Sequence, residues 1–170
     1  MNLSDYIRDI PDFPKPGVLF KDITPLLADP SAFAYAVAKL SAHFATRRVD
    51  AVAAAEARGF LFAAPMALEL RRPLVPLRKP GKLPYRTHST SYDLEYGSAE
   101  LHVHIDGVSP GASVLLVDDV LATGGTMAAA CQLIEKAGGT VAGCAFLIEL
   151  AFLKGRDRLP GVEVFSLLTY

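Results

Sequence analysis

The chain reads as an α/β protein with a mostly parallel central sheet, helices on both faces, a lid or hood hairpin and a separate N-terminal segment. Three observations predict this. Short aliphatic runs at 50–54, 74–77, 113–117 and 140–150 alternate with stretches whose apolar residues recur at helical spacing. Strands alternating with helices imply right-handed βαβ units and hence a parallel sheet, whose ligands sit at the strands' carboxyl ends. A polar interruption at about 78–111 and a proline-rich stretch at 1–29 stand outside that alternation.

Each element has a local reason. Pro11, Pro14, Pro16 and Gly17 rule out a continuous helix in the first 29 residues, which read as a shaped, extended segment. Asp29-Pro30 is an N-cap followed by proline at N1, and Phe33, Val37, Leu40 and Phe44 then recur along one helical face. A strand at 50–54 follows. Gly59 to Leu70 reads as helix, closed by Arg71-Arg72-Pro73 before the strand Leu74 to Leu77. Met127, Ala130, Cys131, Ile134 and Ala137 make a helix stripe that stops at Gly138-Gly139, and Thr140 to Leu150 is a buried strand. Within the interruption, Tyr92 to Tyr96 and Glu100 to Ile105 alternate well enough for a hairpin. The lysine- and proline-rich stretch before it, 79 to 94, is expected to be a lid that closes on ligand.

A length of 170 residues favours one domain, 1–170, that buries roughly two-thirds of its unfolded surface. Seventeen Lys and Arg against 18 Asp and Glu give a net charge of −1, so no bulk positive field attracts nucleic acid or anionic lipid. Any anion must be bound locally. Cys131 and Cys144 lack metal-ligand spacing and read as reduced core residues. His102 and His104 share a strand face, but no third ligand at suitable spacing makes them a metal site. The N-terminus lacks the regions of a signal peptide and no apolar run reaches membrane-spanning length, so a cytoplasmic, soluble protein is the expectation.

The strongest chemical signal is Val114-Leu115-Leu116-Val117-Asp118-Asp119-Val120-Leu121-Ala122-Thr123-Gly124-Gly125-Thr126. A buried strand delivers Asp118 and Asp119, and the small, hydroxyl-bearing turn Ala122, Thr123, Gly124, Gly125, Thr126 opens a helix. Free backbone N–H groups there, with the two threonine hydroxyls, form a phosphate cradle. A phosphate beside paired carboxylates suits a ribose 5-phosphate whose hydroxyls donate to the acids. An ATPase acidic strand would need a partner G-x-x-x-x-G-K-[ST] loop, which Gly81-Lys82-Leu83 does not supply. A receiver domain would carry its acids near the N-terminus and without the glycine-threonine turn.

The same strand, acidic pair and turn resemble the type I phosphoribosyltransferases. The resemblance runs nearly the whole length and is nearest to the branch that takes adenine. It extends to Phe13 through Ile23, to Glu56-Ala57-Arg58-Gly59-Phe60, to Arg78 through Pro84, and to Leu94-Glu95-Tyr96-Gly97. It implies the type I fold and transfer of a 5-phosphoribosyl group from its pyrophosphate donor to adenine, through an oxocarbenium-like state at ribose C1. Phosphoribosyltransferases for another base, or a non-catalytic regulator that senses the donor, remain the alternatives. By the resemblance, Leu19, Phe20 and Lys21 hold adenine, the ring stacking on Phe20. Arg58, Gly59, Lys79 and Lys82 bind pyrophosphate, and Glu95 handles the purine proton. Glu95, Asp118, Asp119 and Arg58 are the catalytic candidates. The implied cofactor is Mg²⁺, held mainly by substrate oxygens and water and by no direct protein ligand. The implied partners are the two small-molecule substrates and a second copy of the chain in a homodimer.

Overall fold

The computed structural model describes residues 1–93 and 97–170. Nine strands and four α-helices are described: β1 (Arg8–Pro11), β2 (Leu19–Asp22), α1 (Thr24–Ala28), α2 (Pro30–Phe44), β3 (Ala51–Ala55), α3 (Gly59–Leu70), β4 (Leu74–Leu77), β5 (Thr87–Asp93), β6 (Ser98–His104), β7 (Ser113–Leu121), α4 (Gly125–Lys136), β8 (Thr140–Glu149) and β9 (Val164–Thr169). Five of the strands make one sheet in the order β4-β3-β7-β8-β9, and every pairing in it is parallel.

Alternation along the central strands divides the core between two faces. On β3, Val52 and Ala54 join Leu40, Phe62 and Met66 of α2 and α3. Ala51, Ala53 and Ala55 point the other way, to Leu133 and Ile134 of α4 and to Leu101 and Val103 of β6. The β5–β6 hairpin is antiparallel and covers the α4 side, so part of the interruption is core.

Helix starts and stops follow the signals read above. Asp29 Oδ1 accepts from the N–H groups of Ser31 and Ala32 at 2.9 and 2.8 Å, capping α2. The end of α3 falls at Arg71, whose φ of 54° turns the chain into β4. Cys131 and Cys144 lie buried with their sulfurs 4.0 Å apart.

Four boundaries differ from expectation. β7 runs to Leu121, so Asp118 and Asp119 sit inside the strand rather than at its last residue. β5 begins at Thr87, so among the described residues the expected lid lies outside strand at 79–86, because pairing with β6 supplies what the polar sequence lacks; residue 94 of that lid and 94–96 of the expected strand Tyr92 to Tyr96 lie outside the described residues. The N-terminal segment folds into the antiparallel pair β1–β2. A last strand, β9, pairs with β8 in a stretch to which the reading above assigns no element.

Candidate active site

From β3 the chain moves outward through α3 to β4, then returns to place β7 on the other side of β3. Sheet order therefore reverses between β3 and β7, and a crevice opens at their carboxyl ends. A cavity of about 620 Å³ occupies it, reached by residues 56–58 after β3, 118–126 from β7 onward, and 18–21 around β2.

Asp119 is buried and bound by the Arg58 side chain, Nε to Oδ2 at 2.7 Å. The Arg58 guanidinium lies 5.6 Å from the centre of the Phe20 ring, which itself meets Phe13 edge-on at 5.1 Å. One arginine thus links the acidic strand to the aromatic of the N-terminal hairpin. Asp118 Oδ1 accepts from the Asp119 N–H at 2.9 Å. Burial first, then the negative charge of Asp119, pushes the Asp118 carboxyl well above the ordinary carboxylate range, against the opposing pull of Arg58.

The turn Ala122–Thr126 lines the cavity in full. Gly124 has φ +83°, a conformation glycine adopts without cost, and α4 begins one residue later. The first intrahelical bond there is Ala128 N–H to Gly124 O at 2.9 Å, so the N–H groups of Gly125, Thr126 and Met127, residues that line the cavity, have no intrahelical partner.

The expected site residues do not all converge. Arg58, Lys79, Asp118, Asp119, Leu19, Phe20, Lys21 and the whole 122–126 turn line the cavity. Gly59 and Lys82 do not. Gly59 is buried where α3 meets β7, and Lys82 stands in an exposed turn. The Lys21 ammonium is held by Asp9 Oδ1 at 2.6 Å and sits 3.9 Å over the Tyr170 ring. Glu95 lies outside the described residues.

Glu56 has a part the sequence did not reveal. Its carboxylate accepts from Arg78 Nε at 3.2 Å and from the Lys79 N–H, joining the ends of β3 and β4 and fixing the main chain that carries Lys79 into the cavity. The Lys79 N–H, desolvation notwithstanding, holds the Glu56 carboxyl below its usual value. Only the adjacency of parallel strands brings these residues together. His102 Nδ1 pairs with Thr87 Oγ1 at 2.9 Å, and His104 Nε2 accepts from the Tyr85 N–H at 3.3 Å, so both rings brace the hairpin.

A parallel sheet with paired carboxylates and an open helix N-terminus at its switch point defines an α/β protein built to bind a phosphorylated ligand. A phosphoribosyl transferase domain matches residues 26–167, and the chain belongs to that family. An adenine phosphoribosyltransferase of Kosmotoga olearia is 56% identical over 170 residues, covering 100% of both chains. One of Maridesulfovibrio salexigens is 57% identical over 168 residues, 99% of each. Among solved structures, the adenine phosphoribosyltransferase of Thermoanaerobacter pseudethanolicus superposes with a TM-score of 0.96 at 50% identity, covering 99% of this chain and 100% of that one. The Saccharomyces cerevisiae enzyme, complexed with an imino-altritol bisphosphate and adenine, gives 0.92 at 37% identity over 98% and 96%.

Proposed function

We propose that the chain is an adenine phosphoribosyltransferase, converting adenine and 5-phosphoribosyl-1-pyrophosphate to AMP and pyrophosphate in purine salvage. The observation that carries this reading is one cavity that joins the Asp118–Asp119 pair and the Ala122–Thr126 turn to the Phe20 ring. Its volume of about 620 Å³ lies within the range of small-molecule sites, and the reading puts a ribose 5-phosphate against the turn and a flat base against Phe20.

In this reading the 5-phosphate sits on the open N–H groups of α4 and the Thr123 and Thr126 hydroxyls. The ribose hydroxyls bond to Asp118 and Asp119, and the negative charge that this pair shares favours the positive character that develops at C1. Arg58 and Lys79 take the pyrophosphate, while Lys82 reaches it only if its turn closes. Gly59 supports Arg58 by packing rather than by contact. Adenine stacks on Phe20 and meets the main chain of Leu19 and Lys21, since Asp9 and Tyr170 occupy the Lys21 ammonium. Stacking on the ring is worth about 0.5–1.5 kcal/mol. Glu95 is assigned the purine proton by resemblance alone.

Mg²⁺ fits the donor set as a substrate-borne ion. Of the three carboxylates that line the cavity, Asp119 is paired with Arg58 and Glu56 with Arg78 and the Lys79 N–H, which leaves the metal to substrate oxygens and water, and among the described residues no cluster of three or more ligating side chains offers a cage. When bound, it neutralises charge on the leaving pyrophosphate.

We read 1–170 as one cytoplasmic domain acting as a homodimer. Leu61, Ala64, Pro65 and Leu68 form an apolar stripe along α3, with Leu68 81% exposed, and this supports a second copy as its cover. The test of function is steady-state turnover of adenine, hypoxanthine, guanine and orotate with donor and Mg²⁺. Adenine should be preferred over hypoxanthine by at least about tenfold in kcat/KM, because a pocket made for an amino edge leaves polar groups unpaired against a keto edge. Equal use of both bases would overturn the adenine assignment.

A further inference from the structure

Between β8 and β9 the chain passes through two 3-10 turns, Ala151–Leu153 and Gly155–Arg158. The second lies main chain to main chain against the Ala122–Thr126 turn. A Cβ placed on Gly124 would stand well under 3.0 Å from the Gly155 carbonyl oxygen, and one placed on Gly155 equally close to the Ala122 carbonyl oxygen. Neither approach survives a side chain. Gly155 is buried, and Lys154 before it takes φ 54°, a conformation side-chain-bearing residues rarely adopt.

This turn is clamped from behind. Arg156 donates from Nε and Nη2 to the two carboxylate oxygens of Glu149, each at 2.6 Å, and from Nη1 to the Val164 carbonyl at 2.9 Å. Ser166 Oγ adds a bond to Glu149 Oε2 at 2.9 Å. Glu149 ends β8 and its side chain is 8% exposed, so the fork ties the turn to two strands of the sheet. Neither Gly155 nor Arg156 lines the cavity.

We propose that Gly155, held in place by the Arg156–Glu149 fork, is a positioning residue that sets the path of the Ala122–Thr126 turn and so the affinity for the ribose 5-phosphate end of the substrate. The inference rests on the reading that this turn holds the phosphate. The Gly155 carbonyl cannot yield without moving the 3-10 turn that bears it, and the Arg156–Glu149 fork holds that turn to β8 and β9, so the outer wall dictates where the 122–124 main chain runs. The base end is built from β2 and shares none of these contacts.

The experiment titrates ribose 5-phosphate by calorimetry into the full chain and its Gly155→Ala, Arg156→Ala and Arg156→Lys variants, with KM for adenine and thermal unfolding measured alongside. Gly155→Ala and Arg156→Ala should weaken ribose 5-phosphate binding by about tenfold or more, while KM for adenine stays within about twofold. Arg156→Lys keeps the charge but loses the fork and should fall between. A wholly structural role would lower the melting temperature and leave both affinities of the folded protein unchanged, which overturns the proposal. If Gly155→Ala does not fold, Arg156→Lys and Ser166→Ala carry the same comparison. Failure of the unaltered chain to bind ribose 5-phosphate would instead refute the functional reading, so the two failures are distinct.

Discussion

Gly59→Ala is the substitution whose cost the structure lets one work out. A Cβ there would stand 2.9 Å from the Val117 carbonyl oxygen, 3.1 Å from Asp118 Oδ1 and 3.2 Å from the Ala54 Cβ. All three neighbours belong to the strands that flank the switch point, and Val117 and Ala54 are fully buried. Alanine gains roughly 0.5–1 kcal/mol over glycine from backbone entropy. Forcing a methyl into a filled core costs about 1–3 kcal/mol, and here the nearest atom is an immovable strand carbonyl, so the clash wins. Net destabilisation of about 1–2 kcal/mol should appear in urea unfolding followed by circular dichroism. Relief of the clash moves the start of α3, and with it Arg58, away from Asp119, so kcat/KM should fall by about tenfold or more. A variant as stable and as active as the parent would show that α3 is not seated on β7 as described.

Other outcomes follow from the same geometry. Thr126→Ala should weaken donor binding by about 1.5–3 kcal/mol, the range for a hydrogen bond to a charged group, as read by calorimetry; an unchanged affinity would mean the turn does not hold phosphate. Because the folded protein raises the Asp118 carboxyl above its unfolded value, the protonated form is favoured in the fold. Stability of the ligand-free protein should therefore decline as pH rises from about 4 toward neutrality, and Asp118→Asn should flatten that slope in urea titrations across pH. Trypsin should cut Lys82–Leu83 faster than Arg86–Thr87, since Arg86 O is bonded to the Ile105 N–H at the base of the hairpin. Donor with Mg²⁺ and an unreactive purine analogue should slow the first cut, and indifference to ligand would remove Lys82 from the site.

Sequence made legible whatever local chemistry decides. Asp29-Pro30 sets the start of α2, Arg71-Arg72-Pro73 the end of α3, and Gly138-Gly139 the end of α4, because caps and breakers act within a few residues. The acidic pair and the glycine-threonine turn are likewise contiguous, and they line one cavity. What escaped depends on distant partners. Thr87–Asp93 is a run of polar residues whose strand exists because β6 pairs with it and because Lys136 Nζ bonds the Ser89 carbonyl at 2.8 Å. The β1–β2 turn rests on Asp12 at φ 58°, with its carboxylate accepting from the Gly17 N–H at 2.8 Å, where the prolines alone suggested only an extended path. Gly59 reads as part of an anion-binding motif, and the packing constraint on it, an added Cβ 2.9 Å from Val117 O, depends on a strand distant in sequence. Nothing around Gly155 distinguishes it from an ordinary turn glycine.

The central claim is that one cavity holds a purine on Phe20 and a phosphate on the Ala122–Thr126 turn, and AMP is the ligand that spans both. Calorimetric titration of AMP, adenosine and IMP into the full chain tests it most directly. AMP should bind about tenfold or more tighter than adenosine, from its phosphate, and tighter than IMP, from its amino edge. Equal affinity for AMP and adenosine would contradict the account.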